Sequence, residues 1–296
     1  LVEKKSNRLA MNVVIYTILI AFSILCIVPI ISVVSISLTS ERDIVEYGYQ
    51  MFPKNISTTA YQFIFKNPMQ ILRAYGVSIT VTVVGTMLSL FLVSMLAYVI
   101  SRRDFAFHRG LAFFVFFTML FNGGLVPNYM LISQGLHLKD TIWALIVPYL
   151  TSAWNILLLK TYFQKIPTAL LESARIDGCS EFRTFFRIVM PLSKPALATV
   201  GLLITLNFWN DWWLSMLYIE NDKLINLQYL LVRMMRDLTE LLQNVTTAPA
   251  GATLRDFPNE SARMAMCVLA AGPMLFVFPF FQKYFVKGLT VGAVKE

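Results

Sequence analysis

The sequence predicts an all-α membrane protein with six transmembrane helices. Two observations carry this: how little charge the chain holds, and how its uncharged residues are grouped. Of 296 residues, 57% are hydrophobic and 14% charged, with a mean hydropathy of +0.63. A soluble domain carries about 25% charged residues, so much of this surface faces something other than water.

The apolar residues fall into runs free of Asp, Glu, Lys and Arg. These are Leu9 to Ser40, Ala74 to Ser101, Gly110 to Leu138, Thr141 to Leu159 and Met264 to Gln282, with Pro195 to Ile219 interrupted only by Asp211. A helix needs about 20 apolar residues to cross the hydrocarbon core, and it satisfies its own backbone there. The predicted spans are about 11–39, 75–101, 110–131, 141–160, 195–219 and 264–282. They form a membrane domain over 11–288, between an N-terminal segment 1–10 and a tail 289–296. Lys4, Lys5 and Arg8 precede the first run as in a signal peptide, but the run is too long for one and reads as a retained helix. Asn122-Gly123-Gly124 and Pro127 interrupt the third run, so its helix is expected to end near Phe121 in an irregular polar turn. Gly85 and Ser89 stand one turn apart, a spacing at which helix backbones approach closely.

Orientation follows from the connections. Segments 1–10, 101–109, 160–194 and 283–296 hold 15 Lys and Arg, whereas 40–73, 131–141 and 219–262 hold 9. Both termini are therefore expected in the cytoplasm. The net charge of +8 is explained by cytoplasmic flanks meeting an anionic leaflet rather than by nucleic acid. Cys26, Cys179 and Cys267 are far apart, and His108 and His137 have no partner at ligand spacing, so neither a disulfide framework nor a metal site is expected.

The longest cytoplasmic connection is the most informative segment. Pro167 to Gly178 reads as a short helix with Thr168 as N-cap and Gly178 as terminator. Ser180 is expected to cap a second helix with Glu181 in its first turn. Phe182, Phe185, Phe186 and Val189 then follow i, i+3, i+4, i+7, one apolar face, until Pro191 ends the pattern. Arg183 and Arg187 lie on another face.

Glu172-Ser173-Ala174, then Gly178, Ile188 and Pro191 at their spacings, resemble the EAA loop of permeases in ABC importers. Asn122-Gly123-Gly124-Leu125-Val126-Pro127, Asp140-Thr141-Ile142-Trp143-Ala144 and Lys283-Tyr284-Phe285-Val286-Lys287-Gly288 are similar to the carbohydrate-uptake branch, of the LplC and MalG kind. Two departures stand out: Ser173 where alanine is commoner, and Glu296 after Val294-Lys295 where the family ends in glycine. The resemblance implies the type I importer permease fold, with the loop 167–191 forming a coupling helix that docks on a separate ATPase. It further implies two ATPase subunits, a second homologous permease and an extracytoplasmic solute-binding protein, which the segment 219–262 would engage. The location would be the bacterial inner membrane, and the cargo oligosaccharides, in several relatives containing uronates. ATP and Mg would belong to the ATPase, because this chain lacks the G-x-x-x-x-G-K-[ST] phosphate cradle.

Within the spans Asp211 is the one acidic or basic residue well inside, a functional candidate by default. Asn207, Trp209, Asn210 and Trp213 surround it, supplying amides and aromatic faces that suit a sugar, with Asn155 and Tyr149 of the fourth span as further candidates. Asn207, Asn210 and Asp211 at i, i+3, i+4 can share one helix face. The carboxylate is expected to be held by a basic or amide partner while both asparagines face a cavity. Two other readings remain open: an importer of a non-sugar solute, and an intramembrane enzyme using Asp211, which would need a second catalytic group.

Overall fold

The structure is a computed structural model describing residues 2–246 and 258–293. In chain order the helices are α1 (Val2–Ser37), α2 (Glu41–Tyr47), α3 (Thr59–Ile64), α4 (Pro68–Ser101), α5 (His108–Leu120), α6 (Leu125–Met130), α7 (Ile142–Ile146) and α8 (Ala153–Phe163). There follow α9 (Thr168–Ile176), α10 (Glu181–Thr184), α11 (Met190–Leu192), α12 (Lys194–Asn210), α13 (Trp213–Tyr218), α14 (Leu227–Thr246) and α15 (Glu260–Ala293). Among the described residues the sole extended pairing is an isolated bridge between Thr39 and Ile56.

Among the described residues, three segments are single helices long and apolar enough to cross a membrane: Met11–Ser37, Pro68–Ser101 and Glu260–Lys283. Three further candidates are bent pairs: His108–Leu120 with Leu125–Gly135 at 112°, Ile142–Tyr149 with Ala153–Phe163 at 49°, and Glu181–Leu192 with Lys194–Asn210 at 84°. Six spans result when each bent pair counts as one. The helices also overrun the expected bounds. The one predicted from residue 75 begins at Pro68, because proline at a helix start gives up only an N–H that has no partner there.

Two of the breaks differ from expectation. The third span does end at Leu120, but the chain resumes as α6 instead of staying irregular. Gly124, at φ +86, makes the corner, and the Asn122 side chain accepts from its N–H at 3.0 Å. The fifth span, predicted unbroken over 195–219, stops at Asn210 and restarts at Trp213.

The chain forms two compact units. The first comprises 1–68 and 233–272. Here Ile36, Ile44, Ala60, Ile64, Leu238, Ala262 and Met266 are buried. Glu41 binds the start of α15, its carboxylate accepting from the N–H groups of Glu260 and Ser261 at 3.0 and 3.2 Å and from the Ser261 hydroxyl at 2.9 Å. An acid suits that position, since the first N–H groups of a helix have no partner of their own and carry its positive end. Asn55 donates to Asp43 at 3.0 Å, and the hydroxyls of Ser37 and Tyr61 lie 2.9 Å apart.

The second unit comprises 69–232 and 273–296 and holds both candidate sites. Its interior is built from Val81, Val93, Ala97 and Ile100 of α4, Ile156 and Leu159 of α8, and Val200, Ile204 and Phe208 of α12. Lipid offers no hydrophobic gain for helix association, so close fit has to supply it. At Gly85 a Cβ would lie 2.7 Å from the Phe208 ring, and one turn of α12 earlier the Thr86 hydroxyl donates to that of Thr205 at 3.3 Å. Gly85 is therefore the seat of Phe208. Gly85→Val should cost roughly 1–3 kcal/mol through overpacking, read as a lower melting temperature in detergent. Adding Phe208→Leu should recover part of the loss. Equal melting of wild type and Gly85→Val would mean that this contact does not set the helix spacing.

Candidate functional site

Two places in the second unit combine exposed functional groups with unusual backbone. The first is the loop 167–191. α9 begins one residue earlier than a Thr168 cap requires: Pro167 holds the cap position with no side-chain bond, and Thr168 is already helical. The expected elbow is present. Gly178 sits at φ +71, its N–H donates to the Arg175 carbonyl at 3.0 Å, and the N–H of Cys179 donates to that of Ala174 at 2.9 Å. Both bonds satisfy carbonyls left over at the end of α9, an arrangement open to glycine because of its positive φ. Ser180 caps α10, accepting from the N–H of Arg183 at 3.4 Å.

Glu172 and Ser173 are exposed, Ala174 is buried, Ile188 is half-buried and Pro191 is exposed within α11. The expected four-residue apolar face does not form. Phe185–Val189 is a π-helical turn, and its extra residue shifts the register. Phe185 and Val189 are buried, while Phe182 is left 65% exposed. Phe185 packs on Tyr98 with ring centres 5.3 Å apart, and Phe186 stacks near Phe91 at 6.4 Å.

An ion cluster ties this loop to the end of α4. Arg102 grips Asp104 through two bonds of 3.0 and 3.1 Å. Arg175 pairs with Asp104 and, at 2.8 Å, with Glu181. Tyr98 donates to the other oxygen of Glu181 at 2.7 Å. The Arg102 guanidinium, with further help from Arg175, holds the Asp104 carboxyl well below the usual carboxylate range against the opposing effect of burial. A depressed carboxyl contributes stability above that range and loses it as pH falls through the folded pKa, so the cluster stays ionised at neutral pH. None of Tyr98, Arg102, Asp104 or Arg175 stood out in the sequence. The only signal was the charged triplet Arg102-Arg103-Asp104 directly after a span, and nothing there reveals partners 71 and 83 positions away.

The second place is the break after α12. Asp211 is extended (φ −72, ψ 121), so it does not share a helical face with Asn207 and Asn210. Its carboxylate accepts from the Tyr149 hydroxyl at 3.0 Å and from the Leu214 N–H at 3.2 Å, capping α13. The partners are thus a phenol and a backbone N–H, not the basic or amide side chain expected. Asn226 donates its amide to the Asp211 carbonyl instead, while its own N–H donates to the Ser215 hydroxyl at 3.4 Å. The next residue, Leu227, donates its N–H to Ser78 of α4 at 2.8 Å. Asn207 and Asn210 are exposed, as is Trp213 at 39%, whose ring meets Trp212 edge-on at 5.7 Å. Trp209 is buried against Tyr75 and Asn155 is buried in α8. Asn226 and Ser78 carry no signal in the sequence: the Asn226 amide bonds a carbonyl at the break after α12, and Ser78 accepts from the N–H of Leu227 at the start of α14.

Residues 85–291 match the family described as binding-protein-dependent transport system inner membrane component. A Bacillus subtilis protein named polygalacturonan/rhamnogalacturonan transport system permease protein YtcP is 38% identical over 98% of this chain and 99% of its own length. Protein LplC of the same organism is 39% identical over 91% of this chain and 89% of its own. Among solved structures, a chain from a bacterial ABC transporter involved in the import of the acidic polysaccharide alginate superposes with a TM-score of 0.76 at 29% identity, covering 93% of this chain and 96% of that one.

Proposed function

This chain belongs to the family of binding-protein-dependent transport system inner membrane components, and from that premise we propose that it is the permease subunit through which an ATP-driven importer passes oligosaccharides, uronate-containing ones included. As a permease it is a transport protein of the inner membrane and not an enzyme, which removes the intramembrane-enzyme reading; its family works with an ATPase and a solute-binding protein. The cargo assignment is carried by the relatives. One is named for polygalacturonan and rhamnogalacturonan, and the solved transporter imports an acidic polysaccharide. No observation favours a non-sugar solute.

The break after α12 suits such a cargo. Sugar hydroxyls have to stay hydrogen-bonded on the way through a membrane. Asn207 and Asn210 are exposed one turn apart on α12, with the Trp213 ring nearby in sequence. The Asp211 carboxylate would repel a uronate, and here it already accepts from Tyr149 and Leu214. We assign the pathway to the two asparagines and Trp213, with Asp211 holding the broken backbone. Replacing Asn207 and Asn210 together by leucine should abolish uptake of a labelled galacturonate trisaccharide, while the ATPase still copurifies. Normal uptake by that variant would move the route to other helices.

We further assign ATPase docking to the loop 167–191, with Glu172 and Ser173 exposed on α9 and Gly178 forming the elbow. The complete importer then comprises two ATPase subunits, this permease, a second homologous permease and the extracytoplasmic binding protein, with ATP and Mg bound by the ATPase. Glu172→Lys or Gly178→Leu should release the ATPase or uncouple its hydrolysis from uptake, with the membrane helices intact by circular dichroism. Wild-type coupling in both would remove the docking assignment. The excess of basic residues in 1–10, 101–109, 160–194 and 283–296 supports cytoplasmic termini. Reporter fusions after Asp104 and Phe182 should accordingly read cytoplasmic and those after Lys54 and Asp237 external, and one clear reversal would refute the orientation.

A further inference from the structure

α9 has little apolar seating. Of its residues only Ala174 is buried, while Leu170 is 44% and Ile176 86% exposed. Between it and the ends of α4 and α8 lies a cavity of about 490 Å³, lined among others by Arg102, Phe163, Lys165, Leu171 and Glu172. What bridges to this helix is the Arg175 guanidinium. Its Nη2 pairs with both Asp104 and Glu181, and its Nε donates to Glu181 at 3.2 Å. Those two carboxylates are themselves fixed at the end of α4, Asp104 by Arg102 directly after the helix and Glu181 by Tyr98 within it. Arg102 is the well-anchored member, with its side chain 11% exposed, whereas Arg175, Asp104 and Glu181 are about half exposed. Ion pairs that open to water contribute little net stability, so the cluster is poorly suited to holding the fold together. It is well suited to holding a direction. A planar fork bonded to two carboxylates resists sliding in its own plane, which a lone alanine contact does not.

We propose that Arg175 is a positioning residue of transport: through Asp104 and Glu181 it transmits displacement of α9 to the inner end of α4, and coupling depends on that clamp. The inference rests on the docking reading of the loop 167–191 given above. α4 carries Gly85, the seat of Phe208 on α12, and Ser78, which holds Leu227 beside the Asp211 break. A displacement entering at Asp104 therefore reaches the helix that supports the proposed sugar route. The pairs link residues distant in sequence but adjacent in space, a contiguous physical chain from the docking helix to the route.

The test uses the whole importer, reconstituted in lipid with its partner permease, ATPase and solute-binding protein. The readout is stimulation of ATP hydrolysis by the binding protein, which reports coupling across the membrane whatever the cargo. Arg175→Gln and Asp104→Asn should each retain the ATPase at wild-type level and keep the melting temperature, yet lose stimulation by at least about fivefold. The double variant should lose less than the two single losses combined, because both break the Arg175–Asp104 contact. Arg175→Lys, which keeps the charge without the fork, should recover part of the stimulation. Wild-type stimulation in Arg175→Gln would overturn the proposal. So would loss of the ATPase together with a lowered melting temperature, since Arg175 would then only fold the loop. Glu172→Lys and Gly178→Leu in the same preparation separate the two ideas. Wild-type docking and stimulation in both sink the docking reading itself, whereas their failure beside an unaffected Arg175→Gln sinks the clamp alone.

Discussion

Hydrocarbon offers no partner for a peptide N–H or carbonyl, and that constraint underlies every feature of this chain within the membrane. It demands helices wherever the backbone meets lipid. It also sets the terms on which a helix can stop, because each interruption frees groups that something else has to bond. The break at Asp211 meets those terms in full view. The Asp211 carboxylate takes the N–H of Leu214 and its carbonyl receives the Asn226 amide, while at the nearby start of α14 the N–H groups of Asn226 and Leu227 go to Ser215 and Ser78. Residues that look from composition like a ligand cluster serve, in part, to repair a broken helix.

The same constraint separates the two candidate sites by kind. Near the break, Asp211 and Asn226 are bonded to the protein itself, while Asn207, Asn210 and Trp213 are exposed. In the loop 167–191 water is available again, so turns and exposed charges are cheap and ion pairs add little to stability. There the chain can afford an elbow at Gly178 and a helix held by a guanidinium fork over a cavity. The bonded break lies at the end of α12, and the exposed ion pairs lie beyond the end of α4.

Family membership and physical reading support different statements. Similarity over nearly the full length establishes an inner-membrane transport component. It does not say which side chains touch the sugar or carry the stroke. Those assignments rest on exposure and bonding: Asn207 and Asn210 are open while Trp209 is buried, and Arg175 faces two carboxylates held at the end of α4.

By itself the sequence determined the fold class, the six apolar runs, the interruption of the third run and the glycine elbow of the loop 167–191. All of these follow from interactions local in the chain: transfer of apolar residues into lipid, and the conformational freedom of glycine. Tertiary structure decided the rest. No local rule could show that Asp211 leaves its helix, since Tyr149 and Asn226, brought in from elsewhere, bond its carboxylate and its carbonyl. Nor could periodicity foresee the π-helical turn at Phe185–Val189, which trades a regular apolar stripe for burial of Phe185 against Tyr98. The ion cluster is the extreme case, because Arg102, Asp104, Arg175 and Glu181 become one unit only when the ends of α4 and α9 meet, and electrostatic partners are chosen by distance in space.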